Sequence, residues 1–366
     1  MSDGEGTPIR TPGSTATGRP ASIRVLVVDD STTIRAILRR LLDANDDIEV
    51  VGSAADGRQA LEAVDRLKPD VVTLDVEMPN LDGLQTLELL FQQHPVPVVM
   101  CSSLTSEGAA ATIRALELGA VDFIEKPGIG ALDGALGATL SEKVRHAAQA
   151  QVRRRVSPVT HTPRAFRGSW QQRILLIGAS TGGPSAVREV MTSLPPDFGL
   201  PIVIVQHMPA GFTRSFAQRL NTLGPLPVDE AEPGMRLEPG RALLAPGGYH
   251  LEFDAARRVV LTETPPEEGV RPAVNVTMES IAHLHGANVI AVVLTGMGRD
   301  GKRGAELIRN AGGTVIVEDK STCVVYGMPR AIAEADLADE ILPRDKIASA
   351  IVRHATARPA VRAGIR

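Results

Sequence analysis

Short apolar runs rich in valine and isoleucine recur along this chain, each followed by a polar or glycine-containing turn and then a segment with helical periodicity. Between residues 23 and 149 the runs are Arg24 to Val28, Ile48 to Val51, Val71 to Leu74, Val96 to Cys101 and Val121 to Ile124. From Arg173 the pattern resumes, with Ile174 to Ile177, Ile202 to Val205, Ala242 to Ala245, Val259 to Thr262, Val289 to Leu294 and Thr314 to Val317. Strand-length runs that alternate with helical segments build α/β sheets. The chain is therefore expected to be α/β twice over, with a five-stranded doubly wound parallel domain followed by a second doubly wound, mostly parallel one.

At 366 residues the chain exceeds one average core and fits two. Residues 1–21 hold Asp3, Glu5 and many Gly, Pro, Ser and Thr, with almost nothing large and apolar to offset the entropy of ordering, so a disordered extension is expected there. The expected divisions are a first domain at 22–150, a linker at 151–171, a second domain at 172–357 and a tail at 358–366. The linker contains Pro158, Pro163 and Gly168 and shows no periodicity. The last helix of the first domain is expected over Thr139 to Arg155. No apolar stretch is long enough to cross a bilayer, and the first residues lack a basic start and an apolar centre. A cytoplasmic protein without membrane insertion is expected. Cys101 and Cys323 are the only cysteines, which argues against a disulfide framework or a zinc site. A net charge of −4 gives no general reason to bind nucleic acid.

Ser180 lies in Gly178-Ala179-Ser180-Thr181-Gly182-Gly183, directly after the run Ile174 to Ile177. A strand-to-helix turn of this kind holds a hydroxyl at the carboxyl end of a sheet and aims the amides of the next helix at an oxyanion formed there. A plain strand–helix connection or a phosphate cradle uses similar residues, so the companion loops decide. His207 ends the next run within Gln206-His207-Met208-Pro209, and Asp300 follows a later one within Thr295-Gly296-Met297-Gly298-Arg299-Asp300-Gly301. Together they form a triad in which His207 takes the serine proton and Asp300 fixes the tautomer. The order Ser, His, Asp differs from the Ser, acid, His order of the α/β-hydrolases. A dinucleotide site is disfavoured, because Ser180 stands where GxGxxG needs its second glycine.

In the first half, Asp29 and Asp30 end the first run and Asp75 ends the third. Carboxylates at the ends of parallel strands meet at one edge of the sheet, and three of them require a cation, for which oxygen ligands suit Mg²⁺. Ser102 after the fourth run and Lys126 after the fifth supply a hydroxyl and an ammonium, both partners for phosphoryl oxygens.

Residues 23 to 149 resemble the response-regulator receiver family. The resemblance implies that Asp75 accepts a phosphoryl group from a histidine kinase, that Asp29 and Asp30 hold Mg²⁺ with it, that Lys126 contacts the acyl phosphate, and that Ser102 and Phe123 occupy switch positions. It also implies a flavodoxin-like fold. Residues 173 to 330 resemble the chemotaxis protein-glutamate methylesterases, in GASTGG, QHMP followed by Gly211-Phe212-Thr213, APGG at Ala245 to Gly248, TGMGRDG, and VVYGMP at Val324 to Pro329. This second resemblance implies hydrolysis of γ-glutamyl methyl esters on chemoreceptors and deamidation of certain receptor glutamines. In it Ser180 is the nucleophile, His207 the base and Asp300 its partner, with the amides of Met297 and Thr181 as oxyanion donors and no metal needed for hydrolysis. Arg214, Arg271 and Arg299 are candidates to meet an acidic receptor surface, and His250, His283 and His285 read as structural or exposed. Glu318 and Asn275 depart from the family pattern, where Gln and Asp are expected, and neither is expected to touch the triad. A non-catalytic receiver-containing adaptor or phosphate sink is the rival reading, since it would keep the first domain alone active. A DNA-binding regulator is disfavoured, because the second half is a long α/β domain rather than a short basic one.

Overall fold

The computed structural model describes residues 22–103, 105–126, 134–150 and 173–357. The expected extension, linker and tail lie outside the described residues, as do Arg153, Arg154 and Arg155. The chain forms two compact units. The N-terminal sheet and its helices run β1 (Ile23–Val28), α1 (Thr32–Asp43), β2 (Ile48–Ala54), α2 (Gly57–Leu67), β3 (Val71–Asp75), α3 (Gly83–Gln93), β4 (Val98–Ser102), α4 (Ser106–Leu118), β5 (Asp122–Glu125) and α5 (Gly134–Gln149). Local signals start the helices. Ser31 caps α1 by accepting from the Ile34 amide, Asp56 caps α2, and Asp82 with Gln85 forms a reciprocal capping box on α3. The sheet order is β2-β1-β3-β4-β5, with β1 parallel to both β2 and β3. The order reverses direction at β1 and β3, and ligands of open α/β sheets bind outside the strand ends at such a point.

The C-terminal unit continues with β6 (Ile174–Ala179), α6 (Gly183–Ser193), β7 (Ile202–Gln206), α7 (Phe212–Leu223), β8 (Val228–Glu230), β9 (Ala242–Leu244), β10 (His250–Phe253), β11 (Val259–Thr262), α8 (Val274–His285), β12 (Val289–Val293), α9 (Lys302–Asn310), β13 (Thr314–Glu318), α10 (Met328–Ala333), β14 (Glu340–Leu342) and α11 (Arg344–Thr356). Seven strands form one parallel sheet in the order β14-β13-β12-β6-β7-β9-β8. Every residue of β6, β7 and β12 is buried, which is why these strands read as unbroken apolar runs. A core of Leu176, Val203, Val205, Val274, Met278, Ala291 and Val293 packs α8 against them.

Three strands, β8, β10 and β14, do not read as apolar runs. β8 and β14 are three-residue edge strands that carry acidic residues, as an edge tolerates. The run Val259 to Thr262 does not join the main sheet; it pairs antiparallel with β10 as a separate hairpin. Along it Val259 is buried, Val260 is exposed, and Leu261 and Thr262 are partly buried.

Candidate active site

The register of the central strands places the first two site residues. Ala179 of β6 is opposite Gln206 of β7, so Ser180 and His207 each leave the sheet one residue later at the same edge. On its other side β6 pairs with β12, which makes this a reversal point of the strand order and puts the loop after β12 beside Ser180. The Ser180 amide donates to the Thr295 carbonyl at 3.1 Å. The Ser180 carbonyl accepts from the Gly183 amide at 2.7 Å and from Gln206 Nε2 at 2.9 Å. Both glycines of the turn have steric reasons to be there. Gly182 has φ +75°, and a Cβ on it would stand 2.6 Å from Cβ of Val324. A Cβ on Gly183 would stand 2.0 Å from Gln206 Oε1.

His207 Nε2 lies 2.7 Å from Asp300 Oδ2, with the two side chains 9% and 2% exposed. The carboxylate is held from a second side. Asp300 Oδ2 accepts from the Val274 amide at 2.6 Å, and Oδ1 accepts from the Asn275 and Gly301 amides, each at 2.8 Å. Val274 and Asn275 open α8, whose own N-cap residue Ala273 has no side chain to offer. Asp300 therefore caps α8 from a distant loop, and the positive end of the helix faces the carboxylate. Burial works to raise the Asp300 carboxyl, but the hydrogen bond and charge of His207 and the amides of Asn275 and Val274 prevail, leaving it below its ordinary value. An ionised carboxylate only accepts, so His207 presents Nε2–H to it.

The loop after β12 ties these pieces together through Thr295. The Thr295 hydroxyl donates to the Thr181 carbonyl at 3.0 Å and accepts from the amides of Val324 and Val325. Gly296 lies against Ser180, since a Cβ there would stand 2.8 Å from Cβ of Ser180. Its carbonyl accepts from the Gly327 and Met328 amides, and these bonds hold the turn that carries half-buried Met297. Thr181 is buried immediately after Ser180.

One expectation is corrected by these contacts. Asn275, expected to stand clear of the triad, holds Asp300 with its amide, while its side chain donates to Glu267 and accepts from the Gly304 amide. Glu318 touches no triad residue, as expected, but it is fully buried and accepts at 2.7 Å from the amide of Thr295, the residue that in turn holds Ser180. Neither role is visible locally, because each joins residues more than twenty positions apart. The arginines nominated for a receptor surface all have partners within the chain. Arg214 pairs with Glu230, Arg299 pairs with Glu268, and Arg271 donates to the carbonyls of Glu263 and Thr264. His250 is buried between the Ala273 amide and the Pro265 carbonyl, a structural role as expected. Cys323 and Cys101 are buried free cysteines. Burial, aided by the charge of Glu318, pushes the Cys323 thiol far above its usual range, so it offers no rival nucleophile.

At the N-terminal sheet, Asp29, Asp30 and Asp75 each place a carboxylate oxygen within 4.8 Å of the others, with Asp29 and Asp75 buried and Asp30 exposed. At that spacing, and an effective dielectric near 20, each ionised pair repels by roughly 3 kcal/mol before solvent screening. A hard cation would remove that repulsion, so the donor set fits Mg²⁺. The loop is held by Arg35, which donates to the carbonyls of Asp29 and Asp30, and by the amides of Ser31 and Glu77, which donate to Asp29 and Asp75. Nothing in the sequence marks Arg35, which is one of many helical arginines until the loop folds back on it. Gly83 packs on the end of β3, where a Cβ would stand 2.1 Å from the Asp75 carbonyl. Ser102 is buried with its hydroxyl donating to the Gly108 carbonyl, and the Lys126 amide donates to the Ser102 carbonyl, bringing the ends of β4 and β5 together. Phe123 is buried on β5.

A serine on a strand–helix turn beside a buried His–Asp pair is the apparatus of a serine hydrolase, and the acidic edge of the five-stranded sheet is that of a phosphoacceptor domain. Family models agree with both halves. Residues 175–351 match CheB methylesterase and residues 25–133 match the response regulator receiver domain. A protein-glutamate methylesterase/protein-glutamine glutaminase of Symbiobacterium thermophilum is 48% identical over 90% of this chain and 96% of its own length. One so named from Thermotoga maritima is 46% identical over 90% of this chain and 98% of its own. The solved CheB methylesterase catalytic domain of Thermotoga maritima is 44% identical, covers 50% of this chain and 99% of its own, and has a TM-score of 0.49. The chain belongs to the CheB methylesterase family and carries that family's receiver domain.

Proposed function

We propose that this chain is a phosphorylation-activated protein-glutamate methylesterase with glutaminase activity, and that Ser180, His207 and Asp300 are its catalytic residues. The carrying observation is the 2.7 Å His207–Asp300 pair at the strand edge where Ser180 emerges. With Nε2 given to Asp300, Nδ1 is the His207 nitrogen that takes a proton. Ser180 Oγ adds to the γ-carbonyl carbon of a methylated glutamate as its proton passes to His207, and Asp300 stabilises the imidazolium. The oxyanion falls to the amides of Thr181 and Met297, and one such donor is typically worth about 3 kcal/mol. The C–O bond to methoxide then breaks, the departing oxygen taking the His207 proton to leave as methanol. Water adds to the acyl-enzyme by the same route in reverse, releasing glutamate and restoring Ser180. A glutamine side chain follows the same sequence with ammonia as leaving group.

A fluorophosphonate tests the assignment independently of receptor. It should form an adduct found by mass spectrometry on Ser180, with formation slowed in His207→Ala. An adduct confined to another residue would overturn it.

Regulation is assigned to the acidic edge. Asp75 accepts the phosphoryl group from a histidine kinase, Lys126 and Ser102 meet its oxygens, and Phe123 repacks as Ser102 moves toward the new dianion. Asp29, Asp30 and Asp75 would hold Mg²⁺, whose charge offsets theirs and that of the phosphoryl group. The substrates are methyl-accepting chemoreceptors, and the kinase and receptor tails imply a cytoplasmic enzyme. Among the described residues no helix is long and apolar enough to cross a membrane.

A further inference from the structure

Glu318 ends β13 with no exposed surface, an expensive place for a carboxylate. Its two oxygens are divided between two tasks. Oε1 accepts from Arg344 Nε at 2.9 Å and Nη2 at 2.8 Å, while Oε2 accepts from the Thr295 amide at 2.7 Å. Arg344, itself 12% exposed, is fixed in turn, its Nη2 donating to the Thr322 carbonyl at 2.6 Å and its own amide to Thr322 Oγ1 at 3.1 Å. Glu189 lies 3.7 Å from the same guanidinium. The charge on Glu318 is thus matched without occupying the oxygen that faces the nucleophile loop.

Thr295 is where this contact acquires a catalytic consequence. Its amide is held by Glu318, its carbonyl holds the Ser180 amide, and its hydroxyl holds Thr181 and the 324–325 strand of backbone. One residue thereby grips the nucleophile turn on both sides of Ser180. We propose that the buried Glu318–Arg344 pair positions Ser180 and the oxyanion amide of Thr181 by fixing Thr295, making Glu318 a positioning residue for ester hydrolysis. This rests on the assignment of Ser180 as nucleophile. A buried ion pair gains little stability over an apolar pair of similar volume, so stability alone does not account for it. Orientation does, since a charge-assisted bond is short and directional and a 1 Å misplacement at a reacting centre costs up to about a hundredfold in rate.

The distinction between positioning and support is testable in the full-length enzyme on methylated receptor membranes. Glu318→Leu, Glu318→Gln and the double variant Glu318→Leu with Arg344→Met are compared with Ser180→Ala for kcat, KM and melting temperature. The expected result is a kcat at least tenfold lower in Glu318→Leu with KM within twofold, and a loss of less than tenfold in Glu318→Gln, whose single amide oxygen can still accept from Thr295 while its NH₂ faces Arg344 and no longer pairs with it. The double variant should regain melting temperature while kcat stays low. Recovery of kcat along with melting temperature in the double variant would overturn the proposal, as would a folded Glu318→Leu with wild-type kcat. Should Glu318→Leu fail to fold, the double variant carries the test. Loss of activity in Ser180→Ala keeps the two failures apart: if that variant remained active, the catalytic assignment would fall, whereas an inactive Ser180→Ala beside a restored double variant removes only the positioning role.

Discussion

Two carboxylate sites occupy equivalent places in the two sheets, each at the strand ends where the order reverses, yet they are electrostatic opposites. At the first, Asp29, Asp30 and Asp75 crowd together, a surplus of negative charge that suits a cation and, in the proposed function, a phosphoryl group on Asp75. At the second, Asp300 stands alone, met by His207 and by three backbone amides, two of them from the start of α8. The topology supplies the location in both cases. What the loops bring decides the chemistry: clustered like charge invites an ion and a transferable anion, while one satisfied carboxylate orients a proton carrier.

The comparison breaks most sharply at the base. His207→Ala should lower ester hydrolysis by about 10⁵- to 10⁶-fold while leaving labelling of Asp75 by a small phosphodonor intact. Methanol release and phosphoprotein yield on the same preparation measure the two sites separately, and concurrent loss of both would mean that the variant is misfolded or that the sites are not independent chemistries. Next, Asp300→Asn should reduce kcat by about 10³- to 10⁴-fold with a small change in KM, since an amide no longer enforces the Nε2–H tautomer. An effect under tenfold would remove Asp300 from the triad. Asp75→Asn should abolish phosphodonor labelling and with it any stimulation of methanol release by the donor; continued labelling would assign the phosphoryl group elsewhere.

Smaller effects probe how each site is held. Gly182→Ala should destabilise the protein by about 1–3 kcal/mol, given its positive φ and the contact with Val324, as read by denaturant titration. The smallest effect concerns pH. The folded-state carboxyl of Asp300 lies below its ordinary value, so its contribution to stability is present above that value and fades as pH falls through the folded one. The stability difference between wild type and Asp300→Asn should therefore shrink as pH is lowered from about 5 toward 2. A difference independent of pH across that window would mean that the carboxylate is not favoured by its surroundings.

The strand ends were legible in the sequence, and so were the residues standing on them, because a parallel α/β pattern fixes which turns share an edge. Ser180, His207 and Asp300 come together for that reason, as do Asp29, Asp30 and Asp75. Less legible were the contacts that depend on exact register. Val293 is opposite Val317, which brings Glu318 level with Leu294 and so beside Thr295 in the loop after β12, and no local pattern announces it. Likewise Ala273 shows no capping residue for α8, because the cap arrives from Asp300 in another loop. The edge strands β8 and β14 escaped for a different cause: three residues at a sheet margin need bury too little to leave an apolar run.

The most direct measurement is methanol release from methylated chemoreceptor membranes by wild type and Ser180→Ala, each with and without a small phosphodonor and Mg²⁺. The expected result is release that the phosphodonor stimulates in wild type and that is absent from Ser180→Ala under either condition. Release that persists in Ser180→Ala, or a wild type that liberates no methanol from any of several receptors, would contradict a phosphorylation-switched serine esterase.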